Sequence, residues 1–359
     1  MDRSLDIPAT RSGARLRPMI PADGEAFAAL SRACPDTGLV RAAARYHIDP
    51  LRALEALRPD TMVLCADSAS GVGLAAAACV SFGELRIDGS VRPHGLFHTL
   101  MVHPAERGRG LGSELTGQCT ALARERLGPE GVILAHVQDG NVGSLRAIER
   151  HLRGRGGRLV GGAARMRRRP PPAWPERAVR RASPGDIELV AARLDEFYRE
   201  HDLAPVRTAE LLRRRLDSTP LDEPFRHGYV VADRAGNLLC GLTLVEQSRL
   251  RTLEVQSIPA LMRIANRLLR VLPPDRILRQ LVVEDAWFAP GHEASARYLW
   301  ESIRWEWRAA GDAVICLFDP RSPARAALRL PRWLPQTSMT TLIDAPAPPR
   351  GGRPLYPMV

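Results

Sequence analysis

The sequence predicts a mixed α/β fold with two similar domains. The 359 residues exceed the roughly 100–200 residues of one ordinary domain. Strand-like and helix-like segments are intermixed along the chain, which indicates a mixed sheet with helices packed on it. Segments of the first half also return in the second half in the same order, which indicates an internal duplication.

The repeat has two parts. Residues 16–25 resemble residues 179–188, and in both a Pro-x-Asp-x-Glu element follows a strand-like piece and begins a helix. The hairpin-like segment 62–74 resembles 229–242. Between the halves, residues 167–175 are rich in proline and cannot lie inside a helix. We therefore predict a first domain over residues 14–170, a second over 177–345 and a C-terminal extension over 346–359.

Hydrophobic periodicity gives the order of elements in the first half. Alternating apolar residues predict strands, apolar residues at helical spacing predict helices, and a polar turn containing glycine predicts a hairpin. The predicted order is a strand (14–19), helices (22–34 and 38–57), a hairpin (61–67 and 72–82), a strand (94–103), a helix (110–127), a strand (131–138), a helix (142–152) and an extended segment (157–166).

Composition excludes several classes of protein. Hydrophobic residues make up 45% of the chain and charged residues 25%, which excludes a mainly disordered or fibrous protein. No apolar run approaches the roughly 18 residues that cross a bilayer, and the N-terminus lacks the apolar core of a secretory signal. We therefore expect a cytoplasmic protein with no membrane partner. The six cysteines are scattered without a CxxC pair, so we expect neither a disulfide framework nor a metal site.

The charge of the chain is strongly positive. All 51 basic residues are arginine, and the net charge is +11. The arginines spread along the whole chain without interleaved aromatic residues, so nucleic acid is the weaker expectation for a partner. A basic chain attracts anions, and binding of a phosphorylated cofactor would be sufficient to account for this positive charge.

A glycine-rich turn follows the strand that ends at Pro104. Proline cannot donate a hydrogen bond within a central strand ladder and so ends the strand. The next residues contain Gly108, Gly110 and Gly112, and a helix begins near Gly110. Glycines leave backbone amides uncovered, and amides at a helix N-terminus attract anions. With Arg107 and Arg109 nearby, this turn is suited to a pyrophosphate.

The pattern Arg107-x-x-Gly110-x-Gly112, after a strand ending Val-x-Pro, resembles the coenzyme A loop of the GNAT superfamily of acyl-CoA-dependent N-acyltransferases. Asn141 follows the next strand, as the second motif of that family requires. The resemblance covers about residues 14–170. It implies two GNAT-like domains, each a mixed, mostly antiparallel sheet flanked by helices, with acetyl-CoA as co-substrate and no metal.

The resemblance also implies which residues bind acetyl-CoA. The backbone of the strand before Pro104 would bond the pantetheine arm, and the glycine turn would bind the pyrophosphate. Asn141 is also explained by an ordinary helix cap. The implied cofactor-binding residues are Leu100, Met101, Val102, Arg107, Gly108, Arg109, Gly110, Leu111, Gly112, Ser113 and Asn141.

The catalytic residues depart from the family pattern. Many members have a glutamate base where this chain has Leu96 or Thr99, and neither side chain titrates. His98 is the best substitute base, because its ordinary pKa is about 6.5, although a structural histidine is an equal alternative. Glu84, acting through water, is a weaker candidate.

The usual tyrosine acid falls at Ile148 in this chain, which cannot donate a proton. Ser144 is then the candidate acid, or the enzyme supplies none. Tyr46, in the predicted acceptor-side helices, is a further candidate without support from spacing.

The second half keeps the pattern of elements but loses the motif. Its strand ends at Pro290, and one glycine and Glu293 follow, with no arginine. An acidic residue there would repel a pyrophosphate. We therefore expect a degenerate GNAT-like copy that packs on the first and walls the acceptor pocket.

The first hypothesis is an N-acetyltransferase that moves an acetyl group from acetyl-CoA to the amine of a small molecule by direct attack. The alternatives are a non-catalytic acyl-CoA-binding or regulatory module, and a GNAT variant with other acyl-CoA chemistry, namely decarboxylation or S-acylation. The sequence leaves the acceptor, the acyl chain and the oligomeric state open.

Overall fold

A computed structural model describes residues 14–36, 40–68, 73–260, 263–264, 266, 272–330, 336–347 and 349–358. The strands are β1 (Leu16–Pro18), β2 (Arg41–Tyr46), β3 (Thr61–Asp67), β4 (Leu74–Ile87), β5 (Ser90–Val102), β6 (Val132–Gln138), β7 (Gly154–Arg165), β8 (Ala178–Arg181), β9 (Ala204–Pro205), β10 (Arg226–Ala232), β11 (Leu238–Val245), β12 (Arg251–Ser257), β13 (Ile277–Leu278), β14 (Gln280–Phe288), β15 (Ala313–Phe318) and β16 (Gln336–Asp344). The helices are α1 (Gly24–Ala33), α2 (Pro50–Leu57), α3 (Leu111–Leu127), α4 (Val142–Glu149), α5 (Ile187–Tyr198), α6 (Ala209–Asp217), α7 (Glu293–Glu306) and α8 (Ala324–Ala327).

The predicted helix over 38–57 is wrong in its first part. Residues 41–46 form β2, which pairs antiparallel with β12 from the second half of the chain. Only α2 is helical, with Asp49 as its cap and Pro50 at its first position. The alanines of this segment are compatible with a helix or a strand. Pairing with β12, which is distant in the sequence, determines that residues 41–46 form a strand. Positions 38, 39 and 72 of the predicted elements, and 348 and 359 of the predicted extension, lie outside the described residues.

Strands β4 and β5 are longer than the predicted strands 72–82 and 94–103, and they form a hairpin that was not predicted. Its strands continue beyond residue 82 and before residue 94 to a turn at Asp88-Gly89, where φ is +47° and +82°. Two residues with positive φ form the tight turn that the twist of a hairpin favours. Beyond residue 82, β4 pairs with β9, so the extra length contacts the second half of the chain.

One large sheet runs through both halves of the chain. Its strand order is β1-β3-β4-β5-β6-β16-β7-β15-β14-β11-β10-β8, with β9 beside β4. The last strand, β16, lies between β6 and β7, and β7 pairs with β15. The predicted domains 14–170 and 177–345 therefore share an uninterrupted sheet and exchange strands. A smaller sheet, β13-β12-β2, also joins the two halves.

The repeat detected in the sequence is present as repeated geometry. Arg17 forms two hydrogen bonds to Asp23, at 2.7 and 2.8 Å, and Arg180 forms two to Asp186, at 2.6 and 2.8 Å. In both copies the aspartate also accepts from the backbone N–H three residues before it. Identical contacts at equivalent positions of α1 and α5 indicate two copies of one unit.

The two sheet halves also repeat an irregularity. Thr99 of β5 has φ +55° and Asp285 of β14 has φ +51°, each beside a bulge in the pairing with its neighbour strand. Positive φ is costly for a residue with a side chain, and it is usually retained near functional sites. Thr99 and Asp285 therefore mark equivalent positions of the two copies.

Candidate active site

A gap opens between the parallel strands β5 and β6. The two strands pair from His94–Val132 to Phe97–Ala135 and then diverge, although β5 continues to Val102 and β6 to Gln138. The bulge at Thr99 lies immediately after the last paired position. A strand with no neighbour exposes its backbone N–H and C=O groups to a ligand that can lie along it.

The glycine turn lies at the end of this gap. Gly110 caps α3 with φ +87°, and Gly108 has φ +82°. A side chain at either position would meet open space, whereas one at Gly112 would lie 3.3 Å from Val102 Cγ2. The turn therefore has an uncovered face at the N-terminus of α3, and one of its glycines permits close packing on β5.

The gap and the turn form one cleft of about 900 Å³, which we call the β5–β6 cleft. The predicted residues that line it are Leu100, Met101, Val102, Arg107, Gly108, Gly110, Leu111, Gly112, Ser113 and Asn141, together with the candidate catalytic residues His98 and Ser144.

Two predicted site residues lie elsewhere. Arg109 is not part of the cleft wall; its exposed guanidinium forms an ion pair with Glu106, which does line the cleft, at 2.9 Å. Glu84 is exposed on β4 opposite Pro93, on the hairpin extension that leads away from the cleft. Its backbone C=O accepts from Val206 in the second half. Glu84 therefore does not line the β5–β6 cleft.

The end of β5 is held by two side chains. Arg107 Nε donates to the C=O of Val102 at 3.0 Å, and Cys34 Sγ donates to the same oxygen at 3.2 Å. A carbonyl oxygen has two lone pairs, so this group is fully used. The backbone of Leu100 and Met101 is then the part of β5 best placed to bond a ligand.

His98 belongs to a chain of hydrogen bonds that begins at the cleft. Thr61 Oγ1 donates to the C=O of Arg58 at 2.6 Å, so it must accept from Ser81 Oγ at 2.8 Å. Ser81 then accepts from His98 Nε2 at 2.7 Å. In neutral His98 this leaves Nδ1 as an acceptor for the Thr99 hydroxyl, at 2.9 Å.

This order assigns the tautomer of His98 from its partners. Burial, with the positive charges of Arg58 and Arg251, holds the pKa of His98 well below its ordinary value of 6.5. His98 is therefore neutral near pH 7. Its acceptor nitrogen faces Thr99, which lines the cleft.

A second histidine, His136, was not predicted. It lies on β6 at the position after the last pair with β5, and it lines the cleft. Its Nδ1 bonds Thr341 of β16 at 3.0 Å, while Nε2 is buried without a partner among the described residues. Burial lowers the pKa of His136 to about 3. A histidine within an apolar strand just before Asn141 was the available signal.

Helix α4 forms the opposite wall of the cleft. Asn141 Oδ1 accepts from the N–H of Ser144 at 3.1 Å, so Asn141 is the cap of this helix. Ile148 lies buried where the family has its tyrosine. Arg146 and Arg150, one helical turn apart, also line the cleft. The sequence did not single them out, because neighbouring charge alone does not show which side chains face a cleft.

The acceptor side of the cleft comes from both halves of the chain. Tyr46 and three alanines of β2 face it, and Arg251 and Leu253 of β12 lie beside them. Burial raises the pKa of Tyr46, so its hydroxyl stays protonated near pH 7. Gln280 of β14 and Met339 of β16 complete the wall. The second half of the chain therefore contributes to this pocket.

The equivalent gap of the second copy is filled. Strands β14 and β15 pair only from Gln280 to Val282 and then diverge. Tyr356 of the C-terminal extension donates to Asp285 of β14 at 2.6 Å, and the N–H of Leu355 donates to Asp319, just beyond β15, at 2.9 Å. The extension thus bridges the two diverging strands.

Another side chain forms a hydrogen bond to the strand backbone that lines this gap. Tyr198 donates to the C=O of Ala286 at 2.6 Å, and Ala286 is the counterpart of Leu100. The turn is also shorter, because Glu293, the first residue of α7, comes three positions after Pro290, whereas Leu111 comes seven after Pro104. These differences agree with the expected degeneracy of the second copy.

None of the described helices is both long and apolar enough to span a membrane. Within the described residues, no group of three or more His, Cys, Asp or Glu side chains is arranged to hold a metal ion.

Comparison with known proteins agrees with this geometry. Residues 36–152 match the family described as Acetyltransferase (GNAT) family. The whole chain is similar to Saccharomyces cerevisiae N-myristoyltransferase with bound myristoyl-CoA, with 14% identity, a TM-score of 0.66, and coverage of 96% of this chain and 85% of that one. It is also similar to a GCN5-related N-acetyltransferase from Sphaerobacter thermophilus, with 16% identity, a TM-score of 0.55, and coverage of 94% and 97%. No curated protein matches the sequence.

At these identities the similar structures establish the fold of the whole chain, while the family match covers the residues that form most of the cleft. The match includes β5, the glycine turn, α3 and α4. Residues 36–152 therefore match the GNAT acetyltransferase family, which supports an acyltransferase, and the whole chain has a tandem GNAT-like fold.

Proposed function

We propose that the protein transfers an acetyl group from acetyl-CoA to the amine of a small molecule by direct attack. The observation that carries this proposal is the gap beyond Phe97 and Ala135, which opens directly onto the uncovered N-terminus of α3. A pantetheine arm can lie along β5 while a pyrophosphate bonds the amides of the turn. We keep the cytoplasmic location as a prediction.

The cleft would bind the cofactor as follows. The backbone of Leu100 and Met101 bonds the pantetheine arm, because the C=O of Val102 is already used within the protein. The amides of residues 108–113 bond the pyrophosphate. Arg146 and Arg150 on α4 face the same space and supply positive charge for the remaining phosphate.

The acyl group would lie at the closed end of the gap. Phe97 and Ala135 are 2% and 1% exposed and pair across the sheet, so little room extends beyond them in that direction. A short acyl group fits this position. The similar N-myristoyltransferase structure contains myristoyl-CoA, so a series of chain lengths is part of the test.

The transfer requires attack by an unprotonated amine on the thioester carbonyl and loss of the thiolate. We assign His98 as the base. It would act through the Thr99 hydroxyl, from which its Nδ1 accepts a hydrogen bond. Ser144 is the candidate to protonate the thiolate, since Ile148 cannot. His136 Nε2 is a further polar group beside the reacting atoms.

The proposal is tested by thiol release from acetyl-CoA and from longer acyl-CoAs, with amines of several classes as acceptors. We expect release that depends on an amine and is fastest with the acetyl group. The same rate with and without every amine would reject the transferase.

A second function is favoured by one observation. Both histidines of the cleft have a lowered pKa, and the usual glutamate and tyrosine positions hold other residues. A non-catalytic acyl-CoA-binding module would need neither base nor acid. It predicts tight acetyl-CoA binding by calorimetry together with no thiol release across the amine panel.

Replacing His98 by alanine should lower kcat by about 100-fold, because a positioned base contributes at least this much. The dissociation constant of acetyl-CoA should not change, since the pantetheine and phosphate contacts lie elsewhere. Steady-state kinetics and calorimetry measure the two quantities. Thr61→Val is the matched control, because Thr61 ends the same hydrogen-bond chain outside the cleft, and it should lower kcat much less.

The pH dependence of the wild-type enzyme gives a further check on His98. Its pKa is lowered, so the neutral, proton-accepting form is already present above that value. We expect no step in kcat from His98 between about pH 5.5 and 7.5. A step near the ordinary histidine value that disappears in His98→Ala would show that His98 titrates normally.

A further inference from the structure

Arg251 is a cation without a carboxylate partner in the wall of the cleft. It begins β12 in the second half and lies opposite Tyr46 of β2. Its Nε is buried and has no hydrogen-bond partner, and no carboxylate among the described residues lies within 4.0 Å of its guanidinium. Arg215, by contrast, is paired with Glu284 at 2.8 Å. A buried arginine is always charged, so its open donors call for an anion.

The surroundings of Arg251 leave room for such an anion. The neighbouring positions of β2 are alanines, namely Ala42 and Ala44, which leave open space beside the guanidinium. The Tyr46 hydroxyl oxygen accepts a hydrogen bond from Arg251, and because the hydroxyl stays protonated its own O–H remains available as a donor. Two donors that face one open pocket are suited to a carboxylate.

The acidic side chains of the cleft do not neutralise Arg251. Glu106 is bonded to Arg109 at 2.9 Å, at the glycine turn. Asp36 also lines the acceptor side; burial raises the pKa of this carboxyl, and the charge of Arg251 opposes the rise only in part, without an ion pair between the two side chains. The positive charge of Arg251 also helps to lower the pKa of His98. The guanidinium therefore lies near the reacting end of the cleft.

We propose that the acceptor amine also carries a carboxylate, and that Arg251 binds this carboxylate. The proposal rests on the acyl transfer proposed above and adds the class of the acceptor, an amino acid or a similar amino-carboxylic acid. Bound in this way, the acceptor presents its amine to the thioester at the closed end of the gap. Its nitrogen forms a bond to the carbonyl carbon, the C–S bond breaks, and the proton lost by the amine is balanced by the proton gained by the coenzyme A thiolate.

The test compares matched acceptors with the full-length protein. Thiol release from acetyl-CoA is measured with amino acids, with their carboxamides and with the corresponding decarboxylated amines. We expect kcat/KM to be at least about 10-fold higher for the acids, since a charge-assisted bidentate contact is worth more than 1.4 kcal/mol. Arg251→Gln should reduce the ratio of kcat/KM for the acids to kcat/KM for the carboxamides to about one, while Arg251→Lys should retain part of the preference. The ratio is compared rather than the absolute rate, because the charge of Arg251 also lowers the pKa of His98 and so affects every acceptor.

The possible outcomes separate the two proposals. Turnover of carboxamides or simple amines at the same rate as the acids would overturn the role of Arg251 and leave the transferase intact. If no amine is turned over, the same amino acids are titrated into the protein saturated with acetyl-CoA. Binding that is lost in Arg251→Gln would support the carboxylate site, and no binding would reject it.

Discussion

Replacing Gly110 by glutamate should weaken acetyl-CoA binding by about 100-fold. The added carboxylate would stand in the open space at the N-terminus of α3, where the pyrophosphate is expected, and φ +87° strains any side chain there. Loss of the anion contact and repulsion between like charges together cost about 3 kcal/mol, and each 1.4 kcal/mol is tenfold in affinity. Isothermal titration with acetyl-CoA measures the change.

Gly128→Glu is the matched control for this experiment. Gly128 ends the same helix, has φ +72°, and also faces open space. With ψ −172°, Gly128 lies in a backbone region nearly confined to glycine, so Gly128→Glu carries at least as much backbone strain as Gly110→Glu, while only Gly110→Glu alters the cleft. Equal affinity for acetyl-CoA in the two variants would show that the turn does not bind the pyrophosphate, and the transferase proposal would lose its basis.

Replacing Arg207 by methionine should destabilise the protein by about 3 kcal/mol, because it leaves a buried carboxylate without its main partner. Arg207 bonds Asp285 at 2.7 Å, and their side chains are 12% and 3% exposed. Asp285 also accepts from Tyr356, so the variant weakens the contact that holds the C-terminal extension in the second gap. Urea unfolding near neutral pH measures the loss.

Arg213→Met is the control, because Arg213 and Glu188 form an exposed ion pair of the same length. We expect this variant to change stability by at most about 1 kcal/mol. A similar loss of stability in both variants would mean that the buried ion pair contributes no more to stability than the exposed one.

Acid should reduce the difference in the free energy of unfolding between wild type and Arg207→Met. Burial alone would raise the pKa of Asp285, but the charges of Arg207 and Arg215, with hydrogen bonds from Arg207 and Tyr356, lower it to about 2, from an ordinary 3.8. A carboxyl whose pKa is lower in the folded protein than in the unfolded chain stabilises the fold at pH values above its ordinary pKa of 3.8. This stabilisation is lost as the pH falls toward 2. Unfolding at about pH 3 should therefore show a smaller gap between the two proteins than at neutral pH.

The local chemistry of the cofactor turn was predictable because it depends on residues that are close in sequence. Pro104 ends a strand, Gly110 permits a left-handed cap, and the apolar spacing after it specifies a helix. The Arg17–Asp23 and Arg180–Asp186 contacts follow the same rule, which made the duplication visible without a structure.

The catalytic and acceptor residues depended on partners far along the chain. His98 is neutral because distant arginines and burial lower its pKa, and its tautomer is determined by Ser81 and Thr61 on neighbouring strands. No spacing within the sequence could show these contacts. Glu84 was a plausible base by position on a strand, but the hairpin extends away from the cleft.

The chain by itself determined most strands of the first half, the glycine turn and the two copies of the unit, since these follow from short-range backbone preferences and apolar periodicity. Tertiary structure decided that residues 41–46 are a strand, that β16 enters the sheet of the first half, and that Arg251 faces the acceptor pocket. Strand pairing joins segments hundreds of residues apart, and its energy comes from hydrogen bonds and burial that only the assembled sheet provides.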